Sequence, residues 1–443
     1  MQTLKASIQG LEQIKYAREL KNRPIEDSEW LIEASKIREP NVDWEASGYF
    51  ADGVSLSTFR RFLYGTKPIK APTFQAYAQV LGLNWSEIIE KDNQNPVKSV
   101  CYVERQSMDK QKYIESLCYE EIQKPGALAR IKAPEQMGKT WLLEKVLGFA
   151  REQKYETVKL DFRLADNTIF SDYDTFLQWI CLHVGEGLDQ EENLDKYWKK
   201  MYGSNKNCTR YFQNYLLSNI NNPLILGLDN VDLVFEQPNI FNDFCKLIRF
   251  WYDQAKSTDH IGEIWKKIRF VIVHSTEVYR GMDINSSPLA GVGLTVEPPE
   301  FKPEQVLFLV QRYELDYHTS NIEKLMELVG GNPALIRTVL DSAKQQNLSL
   351  EELLKLAATE SGVFRDHLGR HLHNLRQYPE LASAFLLCVN SQSPVDIDSQ
   401  LAFKLHRMGL VKLQENCVIP SCNLYRQYFS SRLGTVKSRT EYS

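Results

Sequence analysis

Ala133-Pro134-Glu135-Gln136-Met137-Gly138-Lys139-Thr140 decides how the rest of this chain is read. The stretch fits the Walker A pattern, Ala/Gly-x4-Gly-Lys-Ser/Thr, with Ala133 in the first position. The apolar run Ala127-Leu128-Ala129-Arg130-Ile131 precedes it as a buried strand, and Trp141-Leu142-Leu143-Glu144-Lys145-Val146-Leu147 follows with helical spacing. A loop between strand and helix aims backbone N–H groups and the positive end of the helix dipole at a phosphate chain. Ala133, Gln136, Met137, Gly138 and Trp141 form the cradle, with Lys139 placed for the β- and γ-phosphates and the Thr140 hydroxyl for Mg2+.

At 443 residues the chain has room for two to four domains. A formal charge of −4 and a pI near 6.1 argue against a protein that coats nucleic acid, so any basic surface is local. Eight cysteines are scattered singly, only Cys417 and Cys422 lying close together. That is neither a disulfide framework nor a zinc pattern, and it predicts reduced thiols in a cytoplasm. No apolar run approaches about 18 residues and no signal peptide is evident, so a soluble, cytoplasmic protein without membrane contact is expected.

Downstream of the Walker helix, Thr157 to Phe162 reads as a second strand and 163–210 as a helical insertion. The third strand, Leu224-Ile225-Leu226-Gly227-Leu228, ends in Asp229-Asn230-Val231-Asp232. An apolar strand ending in an acid is the Walker B arrangement, which gives Asp229 the second hold on Mg2+. ATPases of this kind usually place Glu next, to deprotonate the attacking water. Asn230 stands there instead, and an amide can hold a water but cannot take its proton. Asp232, two residues on, is a poor replacement because its side chain is shorter and the backbone is turning, so hydrolysis is expected to be slow or partner-dependent while binding survives. Arg269 to Thr276 is a fourth strand whose tip offers His274, Ser275 and Thr276 as sensors of the γ-phosphate, a lone His at a strand end being more often structural, and Gly293 to Glu297 is a fifth.

From Phe301 the pattern turns helical, predicting a lid over 301–369. Within it, Gly330-Gly331-Asn332-Pro333 is either plain capping, glycines ending one helix and Pro333 opening the next, or a Gly-x-Pro element by the nucleotide base. Arg337 is a further γ-phosphate candidate one turn on. Arg105, in the approach to the first strand, reads more readily as a surface charge than as part of a segment packed near the nucleotide base. Residues 370–435 alternate as helix, hairpin and helix and resemble a winged helix. His367, His371 and His373 share one helix and read as a solvated face.

Residues 1–92 form a small helical domain, followed by a polar linker over 93–100; 436–443 is a tail. Val54 to Gly65 resembles the recognition helix of the lambda-repressor-like helix-turn-helix, which puts Ser57, Thr58, Arg60 and Arg61 toward DNA, with Lys67 on the following loop. No acid lies between Val54 and Pro72 to offset Arg60, Arg61, Lys67 and Lys70. The other reading is a protein-interaction domain with a solvated basic face.

The Walker A stretch, the Walker B stretch Leu224 to Phe244, the Arg269 to Leu289 strand and Gly330 to Arg337 together resemble one family over about 100–435. It is the AAA-like domain family of bacterial, largely cyanobacterial, proteins, related to the STAND signal-transduction ATPases. The resemblance implies a P-loop α/β core over 101–300 with a parallel sheet and flanking helices, then the lid and the winged helix. It also implies ATP and Mg2+ as ligands, with catalysis near Asp229, Asn230 and Asp232 and Pro333 by the base. Three functions are open. One is a nucleotide-dependent switch that self-associates or engages a protein partner, with output through the N-terminal domain. The others are an ATP-dependent DNA-assembly factor and a non-hydrolysing adaptor.

Overall fold

The computed structural model describes residues 3–65, 68–89, 102–107, 112–275, 289, 291–346 and 348–434. The linker over 93–100, the tail, Lys67 and Thr276 lie outside them. The chain divides into two compact units, Met1–Val100 and Cys101–Ser443.

In the first unit, helices Ile8–Leu20, Glu29–Arg38, Leu56–Tyr64 and Ala71–Val80 surround a core of Trp30, Phe59, Phe62, Phe74 and Tyr77. The unit is not wholly helical. Two-residue strands β1 (Thr3–Leu4) and β2 (Ile69–Lys70) pair antiparallel and tie the chain start to the turn before the fourth of these helices. Ser55 caps the Leu56–Tyr64 helix in a capping box with Thr58, and Gly65 closes it in the left-handed conformation at φ 60°. The apolar spacing of Phe59, Phe62 and Leu63 buries one face of that helix.

The second unit is built on a five-stranded parallel sheet: β3 (Leu128–Lys132), β4 (Glu156–Asp161), β5 (Leu224–Asp229), β6 (Ile268–His274) and β7 (Leu294–Val296). Its order is β4-β5-β6-β3-β7. β5 and β6 are buried along their whole length, as interior strands covered on both faces must be. Alternation sends Ile225, Val271 and Val273 to one face, against helices Ile114–Gln123 and Lys139–Glu152. Leu226, Phe270 and Ile272 go to the other, against helices Tyr173–Gly187 and Pro238–Gln254. The approach helix begins at Ile114 rather than Met108, which lies outside the described residues.

Beyond the sheet, helices Pro303–Arg312, Thr319–Val329, Pro333–Gln346 and Leu350–Leu356 follow. Then come Arg365–Gln377, Pro379–Asn390 and Ser399–Arg407, the antiparallel hairpin of β8 (Val411–Gln414) and β9 (Cys417–Pro420), and helix Asn423–Gly434. The histidine reading is corrected here. His371 is buried at 4% exposure, and His367 bonds the Tyr425 hydroxyl at 2.9 Å, so this pair packs the interior. Burial drives their pKa values down, to about 3 for His367 and about 4 for His371, and both stay neutral. His373 bonds only Gln377 on its own helix.

Candidate functional site

The strand order creates the site. β3 carries the Walker A loop at its C-terminal end and β5 carries Asp229, but β6 lies between them. Three strand tips therefore line one crevice outside the carboxyl edge of the sheet, where open parallel sheets bind ligands. A cavity of about 700 Å3 opens there, lined on the sheet side by Gly138, Lys139, Thr140, Asp229 and Ser275.

The loop adopts the strained geometry its motif demands. Gly138 has φ 78° and Gln136 has φ 64°, both in the left-handed region, and the helix Lys139–Glu152 starts at once. A side chain at Gly138 would also meet the Arg105 guanidinium at 3.5 Å. Lys139 Nζ donates to the carbonyls of Ala133 and Pro134, each at 2.8 Å, and to Ser275 Oγ at 3.3 Å. Burial lowers the pKa of this ammonium, and Asp232, Glu135 and Asp229 pull it back up in part. A half-buried cation held mainly by neutral oxygens is a receptor for an anion.

Thr140 Oγ1 lies 3.3 Å from Asp229 Oδ1, the pair expected to share a divalent cation. Asp229 is 1% exposed and its other oxygen pairs with Lys159 at 3.2 Å. Asn230, at φ 58°, donates from its amide to Asp161 at 2.9 Å, across the β4–β5 register that sets Asp161 beside Asp229. Burial raises the Asp161 pKa, but hydrogen bonds from Arg163 and Asn230 outweigh it and hold the carboxyl low. Asp232 accepts the Ser275 N–H on both oxygens, at 3.0 and 2.8 Å, and lies 3.8 Å from Arg407. Its oxygens thus already hold the tip of β6.

Among the sensor candidates, Ser275 lines the cavity, while His274 points the other way. Its ring packs edge-on against Phe235 at 5.6 Å, and burial, aided by Arg130, lowers its pKa to about 3. Alternation along β6 forces this: consecutive residues cannot face the same side. Pro333 is buried and borders the cavity, and Asn332 caps its helix by accepting from the N–H groups of Ala334 and Leu335. Capping of the helix and a place at the cavity edge are thus compatible at that turn. Arg337 lies over the Trp141 ring at 5.1 Å, both lining the cavity.

Arg105 overturns its surface reading. It is 2% exposed, donates to the Met137 carbonyl at 2.7 Å and stacks over Phe301 at 5.8 Å. Its position beside the loop had no signal in residue spacing, because the segment is brought there only when Ile114–Gln123 packs on β3 and β7. Arg370 and Arg407 were likewise missed: both reach the cavity from helices far along the chain.

In the first unit, Thr58 on the helix Leu56–Tyr64 does not have the free hydroxyl that a DNA-facing residue needs. The Thr58 hydroxyl is spent internally, on the Gly53 and Ser55 carbonyls and the Tyr77 hydroxyl. Ser57 and Arg61 are half-buried. The basic run is offset by acids from elsewhere, Glu26 at 3.2 Å from Arg60 and Asp52 at 2.8 Å from Lys70.

The sheet order, the strained Walker loop and the acid at the end of β5 define a P-loop NTPase fold. Residues 90–431 match the AAA-like domain family, and the chain belongs to that family. A curated relative, an uncharacterized WD repeat-containing protein of Nostoc sp., is 49% identical over 88 residues, 20% of this chain and 7% of the relative. The chain thus spans a small fraction of that protein's length. Solved structures similar to it include a Walker-type ATPase of Pyrococcus abyssi (13% identity, 73% of this chain and 98% of that one, TM-score 0.48). The Aeropyrum pernix ORC1 protein in complex with DNA is another (12%, 74% and 93%, TM-score 0.40). A third is AMPPCP-bound DnaA from Aquifex aeolicus (14%, 74% and 87%, TM-score 0.37). Among the described residues no helix is long and apolar enough to cross a membrane.

Proposed function

We propose that this chain is an ATP-binding switch of the STAND type whose nucleotide state governs self-association or partner binding, with output through the N-terminal helix-turn-helix. The observation that carries the reading is the half-buried Lys139 ammonium, held by two loop carbonyls and facing a cavity, with Thr140 and Asp229 beside it. A triphosphate would replace those carbonyls with charge-assisted bonds, and Thr140 with Asp229 would hold its Mg2+. The cation supplies neutralisation of the phosphate oxygens when bound.

Turnover is slow on this reading. Asn230 is tied to Asp161, and Asp161 is kept ionised with a low pKa, which suits it to orient a water but makes it a weak base. The N-terminal unit fits contact with DNA through Arg60 and Arg61, or with a protein partner. Calorimetric titration of the full chain with ATP and Mg2+ tests the proposal. Wild type is expected to bind and Lys139→Ala to lose about a hundredfold or more in affinity, on the order of two charge-assisted bonds. Equal affinity in the two proteins sinks the switch and leaves a scaffold.

A further inference from the structure

We propose that Arg407, at the end of helix Ser399–Arg407, reads the third phosphate and makes the site prefer a nucleoside triphosphate to a diphosphate. The inference rests on the nucleotide reading above and adds the residue that discriminates.

A short relay places Arg407 on the γ side of the cavity. Lys139 Nζ is 3.3 Å from Ser275 Oγ, the Ser275 N–H is 2.8 Å from Asp232 Oδ2, and Asp232 Oδ1 is 3.8 Å from Arg407 Nε. Lys139 is the group that reaches the β- and γ-phosphates in a Walker loop, and Arg407 lines the same cavity.

The backbone of Arg407 is fastened to the phosphate loop itself. Its carbonyl accepts from the Glu135 N–H at 3.0 Å. Gly409, at φ 74° in the left-handed region, then turns the chain away beside Glu135. A guanidinium anchored in this way meets a phosphate without a large search of conformations.

Its present partners are unequal. Glu236 bonds Nη2 at 2.6 Å but is 51% exposed, so that pair is screened and readily exchanged. Asp232 is 16% exposed and already held by Ser275. A terminal phosphate presents several oxygens to the guanidinium fork and outcompetes the exposed carboxylate. A diphosphate ends one phosphate short and leaves Arg407 on Glu236. Without Arg407, the uncompensated carboxylates of Asp232 and Glu236 would repel a third phosphate more than a second.

The experiment is calorimetric titration of the full chain with Mg-ATP and, separately, Mg-ADP, for wild type, Arg407→Ala, Arg407→Lys, Glu236→Gln and Lys139→Ala. Arg407→Ala is expected to lose roughly tenfold or more for ATP and under about threefold for ADP, the effect of one charge-assisted contact made only by the triphosphate. Arg407→Lys should restore part of the ATP loss, since it keeps the charge without the fork. Glu236→Gln should raise the ATP-to-ADP preference by about two- to threefold, by weakening the competing partner. An unchanged preference in Arg407→Ala, or equal losses for both nucleotides, overturns the inference. If circular dichroism shows Arg407→Ala unfolded, Glu236→Gln and Arg407→Lys decide, and an unchanged preference in both overturns it. Failure of wild type to bind either nucleotide sinks the underlying reading as well. Nucleotide binding that needs Lys139 but ignores Arg407 sinks only this one.

Discussion

In the Gly138–Thr140 loop, polar groups converge on a cavity, whereas in the Leu56–Tyr64 helix Thr58 turns inward and Arg60 is tied to Glu26. Both stretches carry a motif of comparable length. The difference lies in what each motif constrains. The Walker residues dictate a backbone path, with left-handed φ at Gly138, and that path fixes where Lys139 and the helix N-terminus point. The helical motif dictates only a helix and its cap. Whether a hydroxyl on it faces solvent or the core depends on the neighbouring helix, here Tyr77 on Ala71–Val80.

The largest expected effect sharpens the cavity side of this comparison. Sequence reasoning would restore turnover with Asn230→Glu, but the structure places residue 230 against the Asp161 carboxylate. A second carboxylate there is repelled, so Asn230→Glu alone should gain less than about threefold in phosphate release, while Asn230→Glu with Asp161→Asn should gain about a hundredfold, within the usual range for a general base. Equal gains in the single and double variants would break the argument that Asp161 controls this position.

A smaller effect concerns β6, where Ser275 faces the cavity and His274 the core. The folded-state pKa of His274 is near 3, below the ordinary 6.5, so the unfolded chain binds more protons between those values. Its contribution is fully present above about pH 6.5 and is lost as pH falls toward 3. Thermal melts from pH 7 to pH 4 should show a falling midpoint that His274→Leu flattens in part, His367 and His371 keeping the remainder. A variant with the wild-type pH slope would place His274 in solvent.

The smallest effect tests the helical side. Thr58→Val keeps shape but removes the Thr58 half of the capping box and the Tyr77 partner, and should lower the stability of the N-terminal unit by about 1–2 kcal/mol, read as an early transition in calorimetry of the full chain. Below that transition, affinity for duplex DNA should match wild type, while Arg60→Ala with Arg61→Ala should reduce its salt dependence by about two phosphate contacts. A Thr58→Val protein that loses DNA affinity to the same extent would return the hydroxyl to the DNA face.

Much of the site was legible where residue type and spacing fix local geometry. The Walker loop, the acid ending β5 and the turn at Asn332-Pro333 all lie at the cavity. Reading failed for Arg105, Arg407 and the histidine pair, each for the same reason: burial and partners come from segments distant along the chain. Arg105 is drawn under the loop by packing of the helix that follows it, and His367 meets Tyr425 only when the C-terminal helices assemble. Asp232 was legible as an acid near the site but not as the cap of Ser275, because that bond joins two strand tips.

The amino-acid sequence by itself determined the Walker loop, the acid that ends β5 and the alternation of strands and helices, since glycine freedom, hydrophobic period and side-chain chemistry act over a few residues. Only the tertiary structure decided that β6 is inserted between β3 and β5, that Asn230 is paired with Asp161, and that Arg407 arrives beside Lys139. Strand order and long-range ion pairs come from burying whole faces against one another, and that energy is not written in any single window of residues.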